Sequence, residues 1–334
     1  MLRPLVSFAG RSAAFAALVR ALDRLDPGSR RVLPVLTYHR IDARTGEPPR
    51  YPGLISATPE DFAEQIGFLA RRYRPISMLD VLAVQAGQAR LPRRAVLVTF
   101  DDAYEDFAEL AWPILRRRQV PVTLFVPTAY PGAGRTFWWD RLYAAVAAAD
   151  PTTLQRTLRG LDLPGAHDPR EVFGSLRDHL KSLPHPQAMA VVDTMVDLLP
   201  GSSKPPQVLD WAALRALAAD GVTLGPHSQT HPLLTRVSDE ELTAEVGGSI
   251  QELAEATGSR LPIFAYPSGA VTSRVAHRVG ELGVKVAFTT RRGANDVTRA
   301  QWLLLRRINI GSLSNVAVLN AQLLSWASWL PRPI

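Results

Sequence analysis

Two adjacent carboxylates, Asp101 and Asp102, close the apolar run Val96-Leu97-Val98-Thr99-Phe100, which reads as a buried strand. Neighbouring side chains on a regular strand point to opposite faces, so the pair serves one site only where strand gives way to loop. Two like charges this close repel, and a cation beside them relieves the cost. A metal needs further ligands, and the best placed of the seven histidines are His227 and His231, in Gly225-Pro226-His227-Ser228-Gln229-Thr230-His231-Pro232. They follow a second short apolar run, Val222-Thr223-Leu224, and so also stand at a strand end. A spacing of four suits one face of a helix, but Pro226 and Pro232 bracket the segment, and Pro232 biases His231 away from helical angles. The segment is therefore a structured turn. One Asp and two His leave a fourth position for water, as in catalytic zinc-type sites. Each piece alone has a plainer reading, the aspartates as a helix N-cap pair and the histidines as surface turn residues.

The elements that must carry these residues alternate. Val32 to Tyr38 predicts a first strand ending on His39, and Thr58-Pro59 opens a helix with Phe62, Ile66 and Leu69 on one face. Ser77 with Asp80 starts a helix through Gln88; the aspartate strand, a helix from about Ala103 to Arg118 and a strand Val122 to Val126 follow. Later come Val222 to Leu224, a helix Asp239 to Thr257 behind Ser238 and Glu241, a strand Ile263 to Tyr266, a helix Thr272 to Leu282, and strands Val284 to Thr289 and Leu303 to Ile310. About seven strands interleaved with helices predict an α/β fold, a parallel barrel or an open parallel sheet, over residues 32–312. In such folds loops at the strand C-terminal ends build the site, and His39, Asp101, Asp102, His227 and His231 all fall there. Between about 130 and 221 the pattern turns helical (Trp138, Leu142, Val146; Leu176, Leu180, Leu183), which predicts a helical insertion at the barrel mouth.

The flanks read as helices. Residues 1–31 scatter Arg3, Arg11, Arg20 and Arg24 among Phe8, Phe15, Leu18, Val19 and Leu22. That pattern lacks the uninterrupted apolar centre of a secretory signal or a membrane span, and predicts an amphipathic helix on its own domain or on a membrane surface. Residues 313–334 predict a docking or interfacial helix, too interrupted by polar residues to span a bilayer.

Composition narrows the chemistry. The 334 residues are 46% hydrophobic and 21% charged, enough for one large core or two smaller ones. Cysteine is absent, so any metal is held by oxygen and nitrogen. The charge of +7 comes almost wholly from arginine, since Lys181, Lys204 and Lys285 are the only lysines. This favours an anionic neighbour such as a membrane surface or an acidic polymer. The arginines lie in scattered pairs and triplets with no nucleic-acid docking motif, so a solvated basic surface is expected and nucleic acid is not a partner.

Assembled, the motifs resemble those of the polysaccharide deacetylases, carbohydrate esterase family 4: Thr99-Phe100-Asp101-Asp102, His227-Ser228-Gln229-Thr230-His231-Pro232 and Phe264-Ala265-Tyr266-Pro267-Ser268-Gly269, in the family's order. The resemblance covers about Leu33 to Asn309 and implies a distorted seven-stranded (β/α) barrel that hydrolyses an acetyl group from an N-acetylated sugar of a polysaccharide or glycolipid. It implies Asp101 as general base and Asp102, His227 and His231 as ligands of a divalent transition metal, zinc first, with cobalt, manganese or nickel as alternatives. It also implies an oxyanion donor at the third motif, which places Tyr266 at that wall with Pro267 and Gly269 beside it.

Two features depart from the family pattern. The third motif lacks the arginine that orients the base, and no late histidine follows Leu303-Leu304-Leu305 to act as general acid. His39, closing the first strand on the same rim, is the expected replacement acid, with a satisfied buried histidine as the plainer alternative. Two other functions stay open: an O-acetyl esterase, whose better leaving group needs less acid, and a glycan-binding barrel without turnover. Trp138, Trp139 and Tyr130 are sugar-stacking residues or core, and Asn295 is a further substrate contact. The basic surface and amphipathic ends suggest a cytoplasmic protein peripheral to the inner membrane face of a bacterial-type cell.

Overall fold

A computed structural model describes residues 12–42, 51–160, 168–199 and 207–325. Its centre is a nearly closed barrel of seven parallel strands: β1 Val35–Tyr38, β2 Ala95–Phe100, β3 Thr123–Val126, β4 Thr223–Pro226, β5 Ile263–Ala265, β6 Val286–Arg292 and β7 Leu305–Asn309. They pair in the order β4-β3-β2-β1-β7-β6-β5, and β4 and β5 approach each other across the remaining gap. Tyr38 pairs with Phe100 and Val126 with Pro226, so the C-terminal ends of β1 to β4 lie on one rim. All six residues of β2 are buried, which is why this strand reads as a continuous apolar run and not as an alternation.

The helices are α1 Ala13–Leu25, α2 Pro59–Arg72, α3 Met78–Gln85, α4 Trp112–Arg117, α5 Trp138–Ala148, α6 Pro151–Gly160, α7 Pro169–Ser182, α8 His185–Leu198, α9 Trp211–Ala219, α10 Asp239–Thr257, α11 Ser273–Glu281 and α12 Val316–Leu323. Their starts obey local capping rules. The Thr58 hydroxyl accepts from the Asp61 amide at 3.1 Å, and Ser77 with Asp80 and Ser238 with Glu241 form reciprocal capping boxes. Gly258, in the left-handed region at φ +78°, ends α10 where expected.

Several boundaries differ from the sequence expectation, each for a local reason. Pro34 splits the first strand, and Val32–Leu33 pairs antiparallel with Asn295–Asp296 instead of joining the barrel. The expected helix after the aspartates is a widened π-turn, Phe107–Ala111, followed by α4, because Pro113 lacks an N–H and its ring crowds the preceding turn. Strand β6 begins at Val286 and continues to Arg292, past the expected Thr289.

Between β3 and β4, α5 to α8 form a helical layer whose Leu142, Val146, Phe173, Leu176 and Leu180 continue the barrel core, and α9 leads back into β4. Helix α1 packs against α12, and its buried Asp23 accepts from Arg72 at 2.7 Å and Arg94 at 2.6 Å. Asp26 ties this end to the C-terminal segment by accepting from the Ser325 amide at 2.6 Å. The described part of the N-terminal helix is thus docked on its own domain. Arg3, Phe8 and Arg11 at one end and residues 326–334 at the other lie outside the described residues. Among the described residues no helix is long and apolar enough to cross a membrane.

Candidate active site

The rim residues converge because the backbone breaks at two strand ends. The Asp101 amide extends the β1–β2 ladder by donating to the Tyr38 carbonyl at 3.0 Å, after which Asp102 (φ +74°) and Ala103 (φ +52°) enter the left-handed region. That break brings the second carboxylate round to the side of the first. On the other side the His227 amide donates to Val126 at 2.9 Å, and Ser228 (φ +62°) and His231 (φ +60°) fold the turn back. Glu245 of α10 holds this turn by accepting from the Gln229 and Thr230 amides, both at 2.9 Å. With Ser268, five of the seven described non-glycine residues at positive φ lie at this rim, each costing about 1–3 kcal/mol that the surrounding fold must offset.

Asp102, His227 and His231 form one buried donor set. Asp102 Oδ1 lies 3.7 Å from His227 Nε2 and 3.6 Å from His231 Nε2, and the three ligand atoms fall within 4.8 Å of one another. His227 Nδ1 is 2.7 Å from the Ala265 carbonyl, which can only accept, so this nitrogen carries the proton and Nε2 presents its lone pair to Asp102. Asp102 Oδ1 is buried with no hydrogen-bond partner among the described residues. Burial, then Asp101 and Asp140, push the Asp102 carboxyl well above its ordinary range. Burial lowers both imidazoles, Asp101 partly opposing this at His227 and the His227 charge adding to it at His231. An unpartnered carboxylate oxygen facing two neutral imidazoles fits a divalent cation with nitrogen and oxygen ligands.

Asp101 has a different environment. Arg307, 1% exposed and rising from the middle of β7, binds it through both nitrogens at 2.8 and 2.7 Å, and Arg307 Nε donates to the Thr289 carbonyl at 2.9 Å. Burial alone would raise the Asp101 carboxyl, but Arg307 and then His227 override it and hold the group ionised, well below the usual carboxylate range. The arginine missing from the third motif thus has a counterpart in the last strand, paired with Asp101. The sequence signal was an arginine two residues after Leu305, on the same face of a buried strand.

The rim forms the floor of a cleft of about 130 Å³, with Trp138 and Trp139 of α5 and parts of α7 and α8 as its outer wall. The polysaccharide deacetylase family profile matches residues 88–287. The chain belongs to the polysaccharide deacetylase family. Membership makes it a hydrolase of the deacetylase, carbohydrate esterase kind. Solved structures share the barrel. The deacetylase PplD of Streptococcus pyogenes, solved with acetate, is 19% identical with a TM-score of 0.59, covering 88% of this chain and 99% of that one. IcaB of Ammonifex degensii is 18% identical with a TM-score of 0.59 (88% and 98%), and the BpsB deacetylase domain of Bordetella bronchiseptica 19% identical with 0.53 (86% and 98%). No curated protein matches the chain.

Within this deacetylase the remaining sequence candidates divide. His39 lines the cleft with Nε2 4.0 Å from Asp101 Oδ2, and its amide donates to Ser56 Oγ at 2.9 Å. Burial, opposed by Asp101 and reinforced by Arg307 and His227, brings its pKa down to about 4, so it is neutral at pH 7. Tyr266 is corrected: its amide donates to Phe288 at 3.0 Å and its phenol to Leu303 at 3.0 Å, so neither group faces substrate. Pro267 is buried, and of this motif it is Ser268 that lines the cleft. Asn295 is also corrected, since its amide bonds to the Leu33 and Arg306 carbonyls and staples β7 to the Val32–Leu33 segment. Trp139 donates to Tyr104 at 2.8 Å and Tyr130 to the Thr230 carbonyl at 3.2 Å, which leaves Trp138 as the half-buried indole on the cleft wall.

Gly269 has a structural task. At φ +67° it abuts the Thr290 amide and side chain, where a Cβ would collide. Gly269→Ala should lower stability by more than about 1 kcal/mol and displace Ser268, seen as a lowered Tm together with a raised KM. An unchanged Tm would show that the loop absorbs the methyl group.

Proposed function

We propose that this deacetylase is metal-dependent and removes the acetyl group from an N-acetylated sugar of a polysaccharide or glycolipid, with Asp101 as general base and Asp102, His227 and His231 as metal ligands. The observation that carries the reading is the unpartnered, buried Asp102 Oδ1 facing the Nε2 atoms of both histidines. When bound, a divalent cation, zinc first, with cobalt, manganese or nickel as alternatives, polarises the acetyl carbonyl and acidifies water. Asp101, kept ionised by Arg307 at the cleft floor, takes the proton as water attacks. His39, neutral at rest, holds its Nε2 4.0 Å from Asp101 Oδ2 in the same cleft. It can therefore collect that proton during turnover and deliver it to the departing amine. Ser268, on the cleft wall, takes the place expected of Tyr266 beside the developing oxyanion.

Elemental analysis of the purified protein beside His227→Ala tests the metal assignment. About one equivalent of transition metal is expected, lost in the variant. No metal in either protein, even after supplementation with zinc, cobalt or manganese, would reject it. The neutral state of His39 favours a second reading, hydrolysis of an O-acetyl ester, because an alkoxide leaves with less help than an amine. Matched N- and O-acetyl substrates decide between them. The barrel without turnover keeps part of its motive: Arg307 supplies an arginine beside Asp101, but no late histidine follows Leu305. We also assign the protein to the cytoplasmic side of a bacterial inner membrane as a peripheral protein, on its charge of +7. Failure to sediment with anionic vesicles at low salt would reject that location.

A further inference from the structure

The outer wall of the cleft has a chemistry that a neutral glycan does not need. The carboxylates lining the cleft are the floor pair, Asp101 and Asp102; three cations line it as well, Arg177 and Lys181 on α7 and Arg236 in the turn Leu234–Arg236 that follows the histidine segment. Arg177 is engaged with Asp178 and with the Tyr51 hydroxyl at 3.0 Å. Lys181 is half-buried, one helical turn further on, and its side chain has no hydrogen bond or ion pair among the described residues. Burial, and then Arg177, disfavour its charge, Asp178 one turn earlier partly opposes them, and the field of Lys181 reaches His231 at the floor. Arg236 is exposed and likewise has no side-chain partner among the described residues. Between the cations the wall is aliphatic: Leu54, Leu180, Leu183, Met189 and Leu233.

A half-buried cation with no direct ion-pair partner among the described residues, set among leucines, costs stability unless a ligand supplies both negative charge and apolar surface. An acidic polysaccharide would answer the cations and leave the aliphatic wall wet, and a neutral oligosaccharide would answer neither. We propose that the substrate is an N-acetylated sugar joined through phosphate to a lipid chain, with the phosphate at Lys181 and Arg236 and the start of the chain along Leu180, Leu183 and Met189. This rests on the deacetylase reading above and names its substrate class.

The test compares acetate release from the octyl phosphodiester of N-acetylglucosamine, N-acetylglucosamine 1-phosphate, octyl N-acetylglucosaminide and a neutral N-acetylglucosamine oligomer. The phosphodiester should exceed each of the others at least tenfold in kcat/KM. Lys181→Met should remove about tenfold of its advantage over the neutral glycoside through KM, and Lys181→Arg should restore it. Equal rates on the neutral oligomer, or an advantage untouched by Lys181→Met, would overturn the proposal. A preference for phosphate without regard to the octyl chain would also overturn it and point to a soluble anionic glycan. If no substrate releases acetate, calorimetry with dodecyl phosphate separates the two readings. Binding that depends on Lys181 would sustain the lipid phosphate site while the deacetylase reading falls, and no binding would reject the site itself.

Discussion

Arg307→Met is expected to destabilise the protein by about 3–5 kcal/mol, because it leaves Asp101 charged, buried and without its bidentate partner. Urea denaturation measures this as a lowered midpoint at unchanged slope. Adding Asp101→Asn to Arg307→Met should recover much of the loss, since the uncompensated charge is then gone. A double variant as unstable as the single one would locate the cost in lost packing of the arginine stem. The pair also makes stability pH-dependent. The folded Asp101 carboxyl titrates below its ordinary value of 3.8, so its contribution is complete above about pH 4 and is lost as pH falls through the folded value. Arg307→Met should therefore narrow the stability gap between the proteins in acid.

Asp101→Asn should lower kcat for acetate release by about 10²–10⁴, the usual range for removing a positioned general base. The amide keeps the shape and one acceptor for Arg307 but cannot take a proton, so the variant should lose some stability, with Arg307 left without its counter-charge, yet keep its metal content. That separates it from His227→Ala, in which activity and metal should vanish together. A rate within about threefold of wild type would remove Asp101 from the chemistry, and His39, 4.0 Å from it, would become the next base to test.

The first two motifs were legible because their chemistry coincides with strand ends. Asp101 and Asp102 follow an all-buried strand, and His227 directly follows β4, so composition and alternation alone brought them to one rim. The third motif was harder. Tyr266 and Ser268 both lie in the same short segment, and only the hydrogen bonds of Tyr266 to Phe288 and Leu303 reveal which of them faces inward. Arg307 was invisible for a different reason. Arg306 and Arg307 are identical in type and adjacent, and the pleat of β7 sends the Arg306 side chain to the Arg292 carbonyl and the Arg307 side chain to Asp101. The cations of the cleft were hidden as well, because the helical layer that carries Arg177 and Lys181 is distant in sequence from every strand end it covers.

By itself the sequence determined the α/β alternation, the helix starts with their caps, the absence of thiolate ligands and the standing of Asp101, Asp102 and His227 at strand ends, all of which follow from local periodicity and side-chain chemistry. The tertiary structure decided what holds Asp101 ionised and leaves Asp102 Oδ1, among the described residues, without a hydrogen bond beside the two histidines. That difference depends on a guanidinium 206 residues away in the chain and on burial by the whole barrel, and neither is encoded in local spacing.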